Sequence, residues 1–158
     1  NSIDDFLKPF EEYKLSTWDD VISGNLSSMF LLSKAVGKLM AKQKYGSIIQ
    51  TASIYGVITP DEDLYKGSKY NGLQISTPAS YSVSKSGVIA LTKYLAAYWA
   101  KYNIRVNTIS PGGIFSGQNN EFVKNYTKKV PLGRMCSEQD IVGAIIFLSS
   151  DASSYITG

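Results

Sequence analysis

Residues 81–113 open with Tyr81-Ser82-Val83-Ser84-Lys85 and close with Ile104-Arg105-Val106-Asn107-Thr108-Ile109 and Pro111-Gly112-Gly113. The first part predicts a helix over residues 81–102. Val83, Val88, Ile89, Leu91, Leu95, Ala96 and Trp99 recur at helical spacing, and Ser80 stands where a hydroxyl can cap. The second part predicts a short buried strand over residues 104–109, stopped by proline and glycine. A helix running into an apolar strand is half of a crossover over a parallel sheet.

The same alternation extends in both directions. Residues 1–16 read as a polar lead-in with Pro9. Ser16 and Thr17, followed by Trp18, Asp19 and Asp20, predict a helix start that carries residues 18–42. Asn25 interrupts that helix, where asparagine is a poor former. Lys34, Lys38 and Lys42 fall on one solvated face. Ser47-Ile48-Ile49-Gln50-Thr51-Ala52 predicts a strand. Residues 119–129 predict a short helix, and Ser137-Glu138-Gln139-Asp140 a capping box ahead of an apolar helix over residues 141–148. Residues 57–79 form a long polar stretch with Pro60, Gly67, Gly72 and Pro78, too long for an ordinary connection. The order is helix, strand, helix, strand, helix, which specifies an α/β fold on a parallel sheet. Two strands alone make a poor sheet, so the sequence is expected to hold a doubly wound parallel sheet only in part.

Composition narrows the function. The chain has 158 residues, 44% hydrophobic and 18% charged, which suits one domain with a packed core. Sixteen Lys and Arg against thirteen Asp and Glu give a net charge of +3, with no basic run, so nucleic acid is not an expected partner. There is no histidine, which excludes a His-based metal site and a Ser-His-Asp triad; no metal ligands are assigned. No apolar run reaches the roughly 18 residues of a membrane helix. The single Cys136 is read as a free thiol and points to a reducing compartment, the cytoplasm. The first residue is Asn1 rather than Met, and the chain is expected to begin inside a longer protein.

Tyr81 and Lys85 are four apart on one helix and share a face. A free tyrosine titrates near 10, and a neighbouring ammonium favours its phenolate. The pair can exchange a proton with a substrate hydroxyl or carbonyl. Tyr65 and Lys69 repeat the spacing, but inside the Gly- and Pro-bearing stretch, where no helix holds them together. Tyr81 and Lys85 are therefore taken as catalytic, and Tyr65 and Lys69 as surface-exposed loop residues. Ser53 follows the first strand, where ligands of open α/β sheets bind, and its hydroxyl can donate to a substrate oxygen.

Taken together, Trp18-x-x-Val21-x-x-x-Asn25-Leu26, Ser53 three before Gly56, Tyr81-x-x-x-Lys85, and Arg105-Val106-Asn107 leading to Pro111-Gly112-Gly113-Ile114 resemble the short-chain dehydrogenase/reductase family. Pro131-Leu132-Gly133-Arg134-Met135 and Phe147-Leu148-Ser149-Ser150-Asp151 also fit it. The resemblance implies a Rossmann-like domain that moves a hydride between NAD or NADP and a carbonyl or alcohol. It implies Tyr81 as general acid/base and Lys85 as its partner and holder of the nicotinamide ribose. Ser53 would polarise the substrate, and Asn25 would bend its helix and hold a water behind Lys85. Pro111, Gly112 and Ile114 would meet the nicotinamide carboxamide, and Ser116 the carboxamide or diphosphate. The Asn25 and Tyr81 helices, with the stripe Tyr94, Tyr98 and Tyr102, imply a homodimer or homotetramer.

Two departures accompany the resemblance. The Gly-x-x-x-Gly-x-Gly loop that cradles a dinucleotide does not occur in residues 1–158, nor does the family's final strand, so residues 1–158 are read as one partial Rossmann-type domain, its catalytic and substrate side. Ser53 lies 28 residues before Tyr81, wider than the family's usual spacing, so residues 57–79 are read as an inserted substrate-side loop. Its Asp61, Glu62, Asp63, Lys66 and Lys69 suit a small polar or sugar-like substrate. A nucleotide-sugar epimerase or dehydratase, and a non-catalytic binding domain of the same fold, are the competing readings.

Overall fold

Two parallel strands, β1 (Gly46–Thr51) and β4 (Ile104–Ile109), lie side by side in a register that pairs Gly46 with Ile104 and Thr51 with Ile109. The computed structural model describes residues 3–158. The long helix α4 (Ala79–Trp99) connects the strands and packs on both. Leu95, Ala96 and Trp99 of α4 meet Ile104 and Val106 of β4 in the main core cluster. Met40 and Ala41 of α3 (Ser28–Gln43) and Ile48 of β1 complete it. Side chains alternate along a strand, so Ser47 faces the other way from Ile48. Its hydroxyl donates to the Leu148 carbonyl at 2.8 Å, placing α6 (Glu138–Ser149) on the opposite face.

A polar chain crosses this core. Thr108 and Thr92 hydroxyls are 2.5 Å apart, Thr92 Oγ1 donates to Gln50 Oε1 at 2.9 Å, and Gln50 Nε2 donates to Ser33 Oγ at 2.8 Å. Ser33, Gln50 and Thr92 are buried, and the chain satisfies each of them.

The predicted strands and helices are present, with three corrections. The first helix starts at Leu15, capped by the backbone at Lys14 rather than by Ser16. It is also not continuous: α2 (Leu15–Ile22) and α3 are joined by a π-helical turn over Ser23–Ser27 that contains Asn25. Ser80 does not cap α4; the cap position is Pro78, and the buried Ser80 hydroxyl meets Tyr13 Oη at 2.9 Å. The lead-in holds a short helix α1 (Ile3–Phe6), while residues 1–2 lie outside the described part.

Residues 57–79 are ordered by their own chemistry. Strands β2 (Lys69–Tyr70) and β3 (Leu73–Gln74) form a hairpin around Asn71 and Gly72, both at positive φ (49° and 82°). That pair matches the mirror-image turn that hairpins favour. Helix α5 (Asn120–Lys129) packs against this segment, with Leu64 and Tyr65 meeting Tyr126 and Met135.

The parallel sheet is narrow for the helices it carries. Val142, Ile145, Ile146 and Phe147 on α6, and Phe30, Leu31, Leu32 and Leu39 on α3, are exposed. Two strands cannot cover both apolar faces, which departs from the buried faces their spacing predicts.

Candidate active site

The carboxyl ends of β1 and β4 open into two loops tied to each other. Ala52 N–H donates to the Ile109 carbonyl at 2.9 Å, and Ile54 N–H to the Pro111 carbonyl at 3.0 Å. Between these loops and the first turns of α4 lies a cavity of about 480 Å³. Ser53, Tyr81, Lys85, Pro111, Gly112 and Ile114 line it together.

Ser53 is buried and accepts a bond from the Tyr55 N–H at 3.2 Å. Its turn-capping role and a substrate role are compatible, because accepting leaves its own hydrogen free to donate. Lys85 Nζ donates to the Thr51 carbonyl at 3.2 Å and lies 5.7 Å from the centre of the Tyr81 ring. Burial holds its ammonium below the ordinary lysine range. Gly56 presses this arrangement together: an added Cβ would sit 2.8 Å from the Lys85 carbonyl carbon and 3.0 Å from Ser86 N. Ser86 Oγ donates to the Gly56 carbonyl at 2.9 Å.

Asn25 and Ser116 do not line the cavity. Asn25 Nδ2 donates to Ser84 Oγ at 3.1 Å, and Ser84 Oγ donates to the Tyr81 carbonyl at 2.7 Å. The π-turn thus carries the amide to the helix turn between Tyr81 and Lys85. The Ser116 hydroxyl accepts from Gln118 Nε2 at 3.1 Å, and its N–H donates to Gln118 Oε1 at 2.8 Å. Cys136 is free, and its backbone bridges to the strand-like segment at Ile114.

The second tyrosine–lysine pair corrects the sequence reading. Lys69 is exposed, but Tyr65 is 8% exposed and lines the same cavity as Tyr81. Nor do the loop charges face the cavity. Asp61 is ion-paired with Lys129 on α5, which lowers the Asp61 pKa, and Asp63 with Lys66 at 2.8 Å. Ser68 Oγ donates to Asn119 Oδ1 at 3.2 Å, and Asn125 Nδ2 to the Lys66 carbonyl at 3.1 Å. These groups clamp the segment onto α5.

Tyr55, Thr77 and Tyr126 are lining residues that sequence reasoning passed over. Tyr126 Oη accepts from the Gly113 N–H at 2.5 Å and so supports the Pro111–Gly113 loop from beneath. Its only sequence signal is an aromatic residue on the apolar side of an otherwise Lys- and Asn-rich helix.

The profile of the family described as enoyl-(acyl carrier protein) reductase matches residues 2–77 and 72–158. The chain is similar to a D-arabinitol 2-dehydrogenase (ribulose-forming) of Candida tropicalis, 36% identical over 159 residues, covering 95% of this chain and 52% of that protein. It is similar to post-translational flagellin modification protein A of Campylobacter coli, 37% identical over 134 residues, covering 85% and 50%. Its fold superposes on a short chain dehydrogenase from Leptospira borgpetersenii with bound NAD+, with TM-score 0.86, 41% identity, and coverage of 96% and 56%. The chain spans about half the length of the curated relatives it matches.

Proposed function

The chain belongs to the short-chain dehydrogenase/reductase family, and from that premise we propose that it carries the acid–base and substrate side of an NAD(P)-dependent oxidoreductase acting on a polar carbonyl or alcohol. The observation that carries the reading is the meeting of Ser53, Tyr81 and Lys85 in one cavity at the carboxyl ends of both parallel strands.

The donor set fits the nicotinamide end of such a cofactor. An ammonium has three hydrogens, and Lys85 places one on Thr51, which leaves donors for ribose hydroxyls beside the Tyr81 phenol. Pro111, Gly112 and Ile114 present a loop backbone for the carboxamide. The cofactor, NAD or NADP, supplies or accepts the hydride. In reduction, Tyr81 gives its phenolic proton to the oxygen that gains negative charge; in oxidation it takes the hydroxyl proton. Ser53 donates to the same substrate oxygen and fixes its direction. Asn25 is a positioning residue that holds the Tyr81–Lys85 turn through Ser84 and links it to solvent.

Residues 57–79 act as an inserted substrate-side segment. The two stretches of the family match overlap at 72–77, inside it, which supports that reading. Tyr94 and Tyr98, exposed and stacked with centroids 5.8 Å apart on α4, support pairing of copies through α3 and α4. The unpaired Cys136 supports a reducing cytoplasmic setting.

The test is Tyr81→Phe in the protein as its gene encodes it. Turnover should be lost while cofactor binding, read by nicotinamide fluorescence, persists. Undiminished turnover would refute the assignment, as would loss of kcat at saturating substrate with Tyr65→Phe alone.

A further inference from the structure

Tyr81 sits in the first turn of α4, where a helix supports itself least. The first four N–H groups of a helix have no partner within it, and the cap position here is Pro78, whose side chain makes no capping bond. The Tyr81 N–H turns back to the Pro78 carbonyl at 3.0 Å. Two cavities border the turn. Pro78 and Tyr81 line the one that holds Ser53 and Lys85, and Pro78, Ala79, Ser82 and Val83 line a second of about 490 Å³. Ser82 Oγ, in the same turn, is buried and has no hydrogen-bond partner among the described residues. An uncapped turn beside open space needs a tie from elsewhere to keep one geometry.

Such a tie comes from the lead-in. The Tyr13 and Ser80 hydroxyls are 2.9 Å apart, across 67 residues of chain. Ser80 is fully buried, as is Ser84, which accepts from Asn25 Nδ2 at 3.1 Å. Ser80 and Ser84 are four apart and share a face of α4. Tyr81 and Lys85 each follow by one residue, so the two serines lie directly behind them. Tyr13 and Asn25 stand on either side of α2, which packs on α4. One short helix thus sets the span between the two ties. The Asn25 tie holds the second turn; the Tyr13 tie reaches the first, one residue from Tyr81. Tyr65 reaches only Thr77, ahead of the cap. Tyr13 is itself held on both sides. Its N–H donates to the Phe10 carbonyl at 3.2 Å, and Lys14 pairs with Asp5 at 2.7 Å.

We propose that Tyr13 is a positioning residue for proton transfer at Tyr81: through Ser80 it fixes the first turn of α4 and keeps the Tyr81 phenol within reach of the substrate oxygen. The proposal rests on the oxidoreductase reading of the same cavity and deepens it. Removing the Tyr13 hydroxyl leaves Ser53, Lys85 and the Pro111–Gly113 loop in place, so substrate and cofactor still bind. What falls is the fraction of time that Tyr81 spends in transfer geometry, and proton transfer requires that contact.

The experiment reads the turn and the chemistry separately, in the full-length protein with Tyr13→Phe, Ser80→Ala and both together. Hydrogen exchange, run without substrate, follows the amides of residues 83–85, which close on the carbonyls of the first turn. They should exchange about fivefold faster in either single variant, the scale of one net hydrogen bond, with β4 amides unchanged. Oxidation of D-arabinitol and reduction of an acetoacetyl thioester serve as assays. In whichever is turned over, kcat should fall about fivefold at unchanged KM and cofactor Kd. The solvent deuterium isotope effect on kcat should rise, because proton transfer becomes slower relative to the other steps. A smaller active fraction would leave that ratio unmoved. The double variant should be no worse than either single one. Unchanged exchange at 83–85 in both single variants would overturn the proposal. So would a higher KM at unchanged kcat, an unmoved isotope effect, or losses that add in the double variant. Faster exchange at 83–85 in a protein that binds neither NADH nor NADPH by nicotinamide fluorescence would uphold the hold on Tyr81 and bring down the oxidoreductase reading instead.

Discussion

Tyr126→Phe isolates one hydrogen bond between the substrate side and the Pro111–Gly113 loop. The ring stays, so its packing 5.6 Å from Phe122 and its place beside Leu64, Tyr65 and Met135 are kept. Only the Oη that accepts from the Gly113 N–H is removed. A net hydrogen bond contributes about 1 kcal/mol, and a donor left buried and unpaired costs up to about 3 kcal/mol. Gly113 is half-buried, so water partly replaces the lost acceptor and the lower end applies. A loss of about 1 kcal/mol lowers Tm by roughly 2–4 °C in a domain of this size. The same loosening reduces the fraction of loop in its binding geometry, and about 1 kcal/mol corresponds to roughly a fivefold rise in cofactor Kd. Calorimetric melting and a nicotinamide fluorescence titration read the two effects, and kcat at saturating cofactor should stay near its original value. An unchanged Tm together with an unchanged cofactor Kd would refute the coupling of α5 to that loop.

Two further changes probe the frame around the site. Gly56→Ala places a methyl against backbone atoms of Lys85 and Ser86 that no side-chain rotation can move. Urea unfolding should show a loss of about 1–3 kcal/mol, with kcat falling as the Ser53 turn is displaced; a neutral result would mean the turn shifts freely. Asp140 accepts from both Arg134 nitrogens and from the Ser137 N–H and hydroxyl, which hold its carboxyl well below the usual carboxylate range. Its folded pKa lies below its unfolded one, so its stabilisation is present above the unfolded value near 4 and fades as pH falls below it. The Tm gap between the original protein and Asp140→Asn should be widest at pH 7 and close on acidification; a gap constant down to pH 3 would refute this.

The parallel strands were legible because each is a short apolar run ended by proline, glycine or a polar turn: residues 104–109 match to the residue, and 47–52 is offset by one. Asn25 stood out as a misfit in a helix, and the structure resolves the misfit as a π-turn. The shared face of Tyr81 and Lys85 was legible because helical spacing alone sets it. Tyr65 was not. Its neighbours Lys66, Gly67 and Lys69 read as solvent-facing, while its burial is decided by Phe122 and Tyr126, more than fifty residues later. Local pattern carries no trace of such a partner. The hairpin at Asn71-Gly72 did have a local signal, a two-residue turn pair flanked by short strands, and the polar composition of residues 57–79 masked it. The start of α2 at Leu15 differs from the expected cap because Lys14 takes the extended conformation and stands at the cap position.

The clasp between residues 57–79 and α5 shapes how this protein can be remodelled. Leu64 and Tyr65 are sheltered by Tyr126, Asp61 is neutralised by Lys129, and Ser68 and Lys66 lean on Asn119 and Asn125. A graft of the segment alone into a relative would strand two large apolar side chains and an acid on the recipient's surface. A graft of α5 alone would leave the host's own loop beneath a helix cut for another. The two stretches, apart in the chain, pack as one unit. A graft that exchanges both together keeps these contacts intact and leaves Tyr81 and Lys85 in place.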